Sequence, residues 1–157
     1  MAYKIFLIVI VVSIVFIASY FFLQSKKELA QIVLPQTWRS ADIPAQNIKL
    51  TVRTIELGPQ ERSKFATCVL IQTPISTTIA QAGSYNEYIV ATVEKSQHSI
   101  VTARVDYKDK IQWQVYTSNI ELLNSSLHKL ELPFGIEWGA IEDSSWSEYD
   151  SHEKLLP

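Results

Sequence analysis

The stretch His98–Thr117, HSIVTARVDYKDKIQWQVYT, is the part of this chain whose reading decides the fold. Val101, Ala103, Val105 and Tyr107 share one parity, and Thr102, Arg104 and Asp106 share the other. Past Lys108-Asp109, Ile111, Trp113 and Val115 alternate with polar residues in the same way. A period of two marks strands with one buried face, so the two runs read as a β-hairpin. Residues directly opposite in a hairpin point to the same side, which allows the register to be tested. A two-residue loop would set Val105 opposite Gln112 and Asp106 opposite Ile111, mixing the faces. A three-residue loop, Lys108-Asp109-Lys110, pairs Tyr107 with Ile111, Val105 with Trp113 and Ala103 with Val115. That register is the expected one, with Asp109 or Lys110 in the left-handed conformation.

Upstream, Ile48, Leu50 and Val52 alternate with Lys49, Thr51 and Arg53, and Ile55 and Leu57 continue on the opposite parity. The slip predicts a β-bulge near Arg53-Thr54. Phe65–Gln72 is apolar or small on both parities, as an interior strand would be. Ile75–Ala80 reads as a weaker extended stretch. Glu87–Lys95, EYIVATVEK, reads as a strand of high β-propensity. Downstream, Ser118–Ser126 supports no assignment, and His128–Leu132 reads as a short last strand before Pro133-Phe134-Gly135. No helix is expected after Val33. Six or seven short strands with turns about every 8–12 residues predict an all-β domain, an antiparallel β-sandwich, with a small β-barrel as the alternative. Only four glycines occur in the chain, which favours the sandwich over a tightly bent barrel. No longer repeat recurs, which excludes a solenoid or propeller.

At the N-terminus, Ile5–Leu23, IFLIVIVVSIVFIASYFFL, contains no charge. A helix of this length reaches roughly 28 Å, enough to span a bilayer once. It is too long for the core of a cleaved signal, and the residues two positions before Ala18, Ser19 and Ala30, where a cleavage site wants a second small residue, are Phe16, Ile17 and Glu28. The expected organisation is a membrane anchor over 1–23, a helical extension and linker over 24–46, a β-domain over 47–137, and an acidic, partly disordered tail over 138–157. Trp138, Trp146 and Tyr149 are unusual in such a tail, and one or two of them are expected to pack back on the domain or on a partner. Lys26 and Lys27 follow the anchor, so a literal charge count would keep the domain cytoplasmic. The short tail before the anchor favours the layout of a signal-anchor, with the N-terminus cytoplasmic and the C-terminal domain exported.

The net charge is −2, and Lys and Arg are not clustered, which excludes a nucleic-acid partner. Cys68 is the one cysteine, so no internal disulfide forms. Its apolar setting predicts a buried, unreactive thiol, and a dimer linked through it is the one covalent option. His98, His128 and His152 lack metal-ligand spacing, and the Asp143–Asp150 stretch lacks the central glycine and final glutamate of a calcium loop, so no metal or other cofactor is expected. Asp106 and Asp109 sit at a hairpin tip among lysines, which reads as solvated surface charge. No nucleophile elbow or phosphate-binding glycine loop occurs. Asn124-Ser125-Ser126 fits the acceptor pattern for N-glycosylation in a secretory lumen. No enzyme is expected. The sequence predicts a single-pass envelope protein whose exported β-domain binds another protein in a membrane assembly. The alternative is small-molecule or glycan binding through Tyr88, Tyr107, Trp113 and Tyr116. Trp113 reads as core, whereas Tyr116 faces the other way and is the better candidate for a contact.

Overall fold

The computed structural model describes residues 37–74, 79–130 and 135–157. The expected membrane helix over 5–23 and its extension lie outside these residues. Among the described residues no helix is long and apolar enough to cross a membrane. The hairpin forms as β4 (Ser99–Asp106) and β5 (Lys110–Thr117). With β1 (Trp38–Ile43), β2 (Ile48–Arg53), β3 (Thr67–Pro74) and β6 (Glu137–Glu142), it builds one six-stranded sheet of order β1-β2-β4-β5-β3-β6. Every pairing is antiparallel. The expected antiparallel, β-rich architecture is therefore present. The sandwich and the barrel are replaced by a single sheet, because helices supply the layers that a second sheet would have provided.

The register is the one that the alternation pattern argues against. The Tyr107 amide donates to the Lys110 carbonyl at 2.9 Å, closing a two-residue loop. Val105 faces Gln112 and Asp106 faces Ile111. Neither Asp109 nor Lys110 has positive φ. The mixed faces are resolved by a register shift between Val101 and Ala103 that leaves Thr102 as an extra residue. Val101 lies opposite Val115 in the cluster under the helices, while Ala103 and Val105 turn to the other face opposite Val52 and Leu50. The Thr102 hydroxyl lies 2.8 Å from Gln114 Oε1 and donates to it, so the bulged residue keeps its side chain satisfied in a buried position. The bulge expected at Arg53-Thr54 is thus found in β4 instead. β2 ends at Arg53, and the phase slip marks the point where the chain leaves the sheet, with Ile55 buried beyond it.

Between β2 and β3 a single helical turn, α1 (Pro59–Arg62), is capped by the Glu61 carboxylate, which accepts from the Gly58 amide at 2.9 Å. α2 (Ile79–Glu94) occupies the segment expected as extended chain and then a strand, Ile75–Ala80 and Glu87–Lys95, of which residues 75–78 lie outside the description. Ile89 and Val93, one helical turn apart, are fully buried against the sheet. Burying such side chains stabilises by about 1.5–3 kcal/mol each, more than the sub-kilocalorie penalty of β-branched residues in a helix. Helical periodicity therefore wins over β-propensity. α3 (Ile120–Leu127) starts at Asn119, whose side chain accepts from the Leu122 amide at 3.0 Å, and buries Leu123 and Leu127. The expected strand His128–Leu132 is corrected over its described residues, 131–132 lying outside them: His128 is the C-cap of α3 and Leu130 folds back into the same cluster. Glu94, in the last turn of α2, ties the layers together. Its carboxylate pairs with buried Arg53 on β2 and accepts the Val101 amide on β4.

The segment expected as a partly disordered tail is integral to the domain. β6 pairs with β3, and α4 (Ser147–Glu153) covers the second face of the sheet near β2 and β4. The expectation that tail aromatics pack back holds for Trp146 and Tyr149, both fully buried. The folded unit also begins earlier than expected, since β1 lies within the supposed linker and Trp38 packs against the core.

Candidate protein-interaction edge

The richest collection of polar and aromatic side chains lies under α4, and it is closed. Tyr116 stacks on Trp146 with ring centroids 4.2 Å apart, and Tyr149 meets Trp146 edge-on at 5.7 Å. Trp146 Nε1 donates to the carbonyls of Arg62 and Phe65 at 3.0 and 3.1 Å. The Tyr149 hydroxyl donates to the Arg53 carbonyl at 3.0 Å and accepts from the Ile55 amide at 3.1 Å, which is how the end of β2 is held. The Asp143 carboxylate accepts from the Tyr116 hydroxyl at 2.6 Å, from the Ser147 and Glu148 amides at 2.9 and 3.0 Å, and from the Ser145 and Ser147 hydroxyls. Burial alone would raise its pKa. These donors outweigh burial and hold the carboxyl well below the usual range. With five donors committed to it, Asp143 is a structural anion that starts α4, not a calcium ligand.

Cys68 lies on the same face, fully buried opposite Tyr116. Burial, reinforced by the nearby Asp143 and Glu148 charges, pushes its thiol up to about 12. This agrees with the expected inert cysteine and removes the option of a disulfide-linked dimer. Native protein treated with iodoacetamide at mildly alkaline pH should therefore remain unmodified by mass spectrometry, while unfolded protein is fully alkylated. Rapid alkylation of the folded protein would contradict the burial.

The four aromatics considered for ligand binding do not converge. Trp113 is buried on the face covered by α2, donating to Asn86 Oδ1 at 3.0 Å, which agrees with its reading as core. Tyr116, expected to be accessible, is fully buried, because the underestimated tail covers its face. Tyr88 is exposed on α2, and Tyr107 lies beneath Lys110 at 5.0 Å. An open groove of about 370 Å³ beside α2 and α3 is lined by Lys95, Leu122, Ser125 and Lys129 among others, with no aromatic ring. Among the described residues no cluster of His, Cys, Asp and Glu could hold a metal ion. Asp106 is paired with Arg104 at 2.6 Å, and Asn124 lies within α3.

What remains open is the edge of the sheet. All six residues of β6 are exposed, including Trp138 at 39 % and Ile141 at 48 %. The Asp143 amide donates to the Ala66 carbonyl at 2.8 Å, one step beyond the Thr67–Glu142 pair. Antiparallel ladders alternate, so Glu137, Gly139 and Ile141 exchange hydrogen bonds with β3, and the N–H and C=O groups of Trp138, Ala140 and Glu142 point outward. The opposite edge differs. On β1, Arg39 is bound to Glu153 of α4 and Trp38 stacks near Arg53, so its larger side chains are engaged by the body of the domain. The only sequence signal for the β6 edge was the pair of exposed aromatic and aliphatic residues in an acidic stretch, which reading the segment as a tail concealed.

No protein-family model, curated protein or solved structure matches the chain.

Proposed function

We propose that the protein is a non-catalytic, single-pass membrane component of a cell envelope, and that its exported domain binds a protein partner by accepting a strand on β6. The exposed β6 edge carries this reading: three residues in a row of alternation offer outward backbone groups, beside two large apolar side chains that the fold leaves uncovered. The apolar, uncharged Ile5–Leu23 run supports the anchor.

The test is capture from native membranes with a membrane-impermeant crosslinker and a C-terminal affinity tag, comparing the native chain with Ala140→Pro. The Ala140 amide points outward, so proline removes none of the bonds to β3 while blocking an added strand. Recovery of the partner is expected to fall about tenfold or more, the effect of losing one or two net hydrogen bonds and introducing a clash. Undiminished capture by A140P would overturn the edge as the binding site. Failure of any protein to crosslink would overturn the assembly role.

A further inference from the structure

We infer that β6 selects an extended partner segment of the pattern basic-x-apolar-apolar-x-basic, with Lys or Arg opposite Glu137 and Glu142. The inference rests on the strand-addition reading and names the chemistry of the partner. On one face β6 presents Trp138, Ala140 and Glu142, and on the other Glu137, Gly139 and Ile141, as follows from their pairing with Ile71, Val69 and Thr67 or with Gln72, Leu70 and Cys68. Each face therefore carries one glutamate, one large apolar side chain, and one very small residue between them. A side-chain carbon built on Gly139 would meet nothing within 4 Å, so the middle of the strand is an open notch rather than a packed surface. An added strand places two consecutive side chains opposite Ala140 and Gly139, one on each face. Bulky apolar groups there would fill the notch beside Trp138 and Ile141. At the two ends of the same six-residue segment, five positions apart, it faces the two carboxylates.

Charge decides among possible occupants. A second copy of β6 would put four carboxylates and no cation into one two-stranded ribbon, which like-charge repulsion disfavours. The other free edge, β1, offers Arg39 and Asp42, whose charges cancel, and Arg39 is already bound to Glu153. A separate strand with two cations meets the charge of β6 and satisfies its outward backbone groups.

The experiment uses the full chain in neutral detergent micelles and three labelled peptides with the cores KTVVTK, ETVVTE and KTGGTK, measured by fluorescence anisotropy. The basic apolar peptide is expected to bind about tenfold or more tightly than the acidic one at low salt, two attractive pairs having replaced two repulsive ones, and more tightly than KTGGTK, which leaves the notch unfilled. High salt should narrow the difference from the acidic peptide. The double variant E137K/E142K should reverse the preference between the basic and acidic peptides. Equal binding of the basic and acidic peptides, absence of binding by the basic one, or an unaltered preference in the double variant would each overturn the charge selection. A140P separates this from the underlying reading: if it still abolishes capture of the native partner, strand addition stands and the proposed pattern alone is lost. If capture is unaffected, strand addition itself fails.

Discussion

Trp146→Ala is expected to destabilise the folded domain by about 3–5 kcal/mol, the range for removing a fully buried large aromatic side chain. The substitution takes away the ring stacked on Tyr116, the edge contact with Tyr149, and the Nε1 donor that satisfies the Arg62 and Phe65 carbonyls. Typical domains are stable by only about 5–15 kcal/mol, so such a loss leaves a marginal protein. Urea unfolding followed by tyrosine and tryptophan fluorescence measures it. Leu155→Ala, at a position that is 51 % exposed, is the control and should change stability by less than about 0.5 kcal/mol. A loss below about 1 kcal/mol for W146A would mean that α4 does not belong to the core.

Asp143→Asn is expected to cost about 2–4 kcal/mol near neutral pH, through weaker hydrogen bonds from the Tyr116 hydroxyl and two α4 amides to an uncharged acceptor. Its pH dependence distinguishes this cause from general damage. In the unfolded chain the carboxyl takes up a proton near pH 4, whereas in the folded protein its pKa is depressed. The unfolded state therefore binds more protons as the pH falls through 4. The stabilisation is complete above that value and is lost progressively below it. Denaturation midpoints measured across this range should show a shallower acid limb for D143N than for the native chain. Parallel acid limbs would place the anion's contribution elsewhere.

The strands were legible wherever one face is polar. β2 and β5 follow their alternation, β4 does so only beyond its bulge, and doubly apolar β3 is interior, between β5 and β6. The register of the hairpin was not legible, because a single bulged residue, Thr102, reverses which face the alternation describes. The helices were missed for different reasons. In α2 the spacing of Ile89 and Val93 was present, but the β-branched composition of the stretch outweighed it. In α3, Asn119 followed by Ile120, Leu123 and Leu127 is a helical pattern with its cap, interrupted by serines that resemble a turn. The greatest distance between sequence and structure lies in residues 138–157. Serine and acidic content there reads as solvated chain, yet one buried carboxylate and two buried rings are enough to fix it. Composition averages over such a segment, whereas folding depends on its few inward residues.

That arrangement has a consequence for biogenesis. Trp146 covers Tyr116, α4 lies against β2 and β4, and the Tyr149 hydroxyl closes onto backbone made 94 and 96 residues earlier. During synthesis every other strand emerges before β6 and α4 are available. A nascent chain must therefore carry an uncovered apolar sheet face until its last elements arrive, the state in which unfinished β-proteins aggregate. Export in an unfolded form, or shielding of that face by a chaperone, would keep the interval harmless.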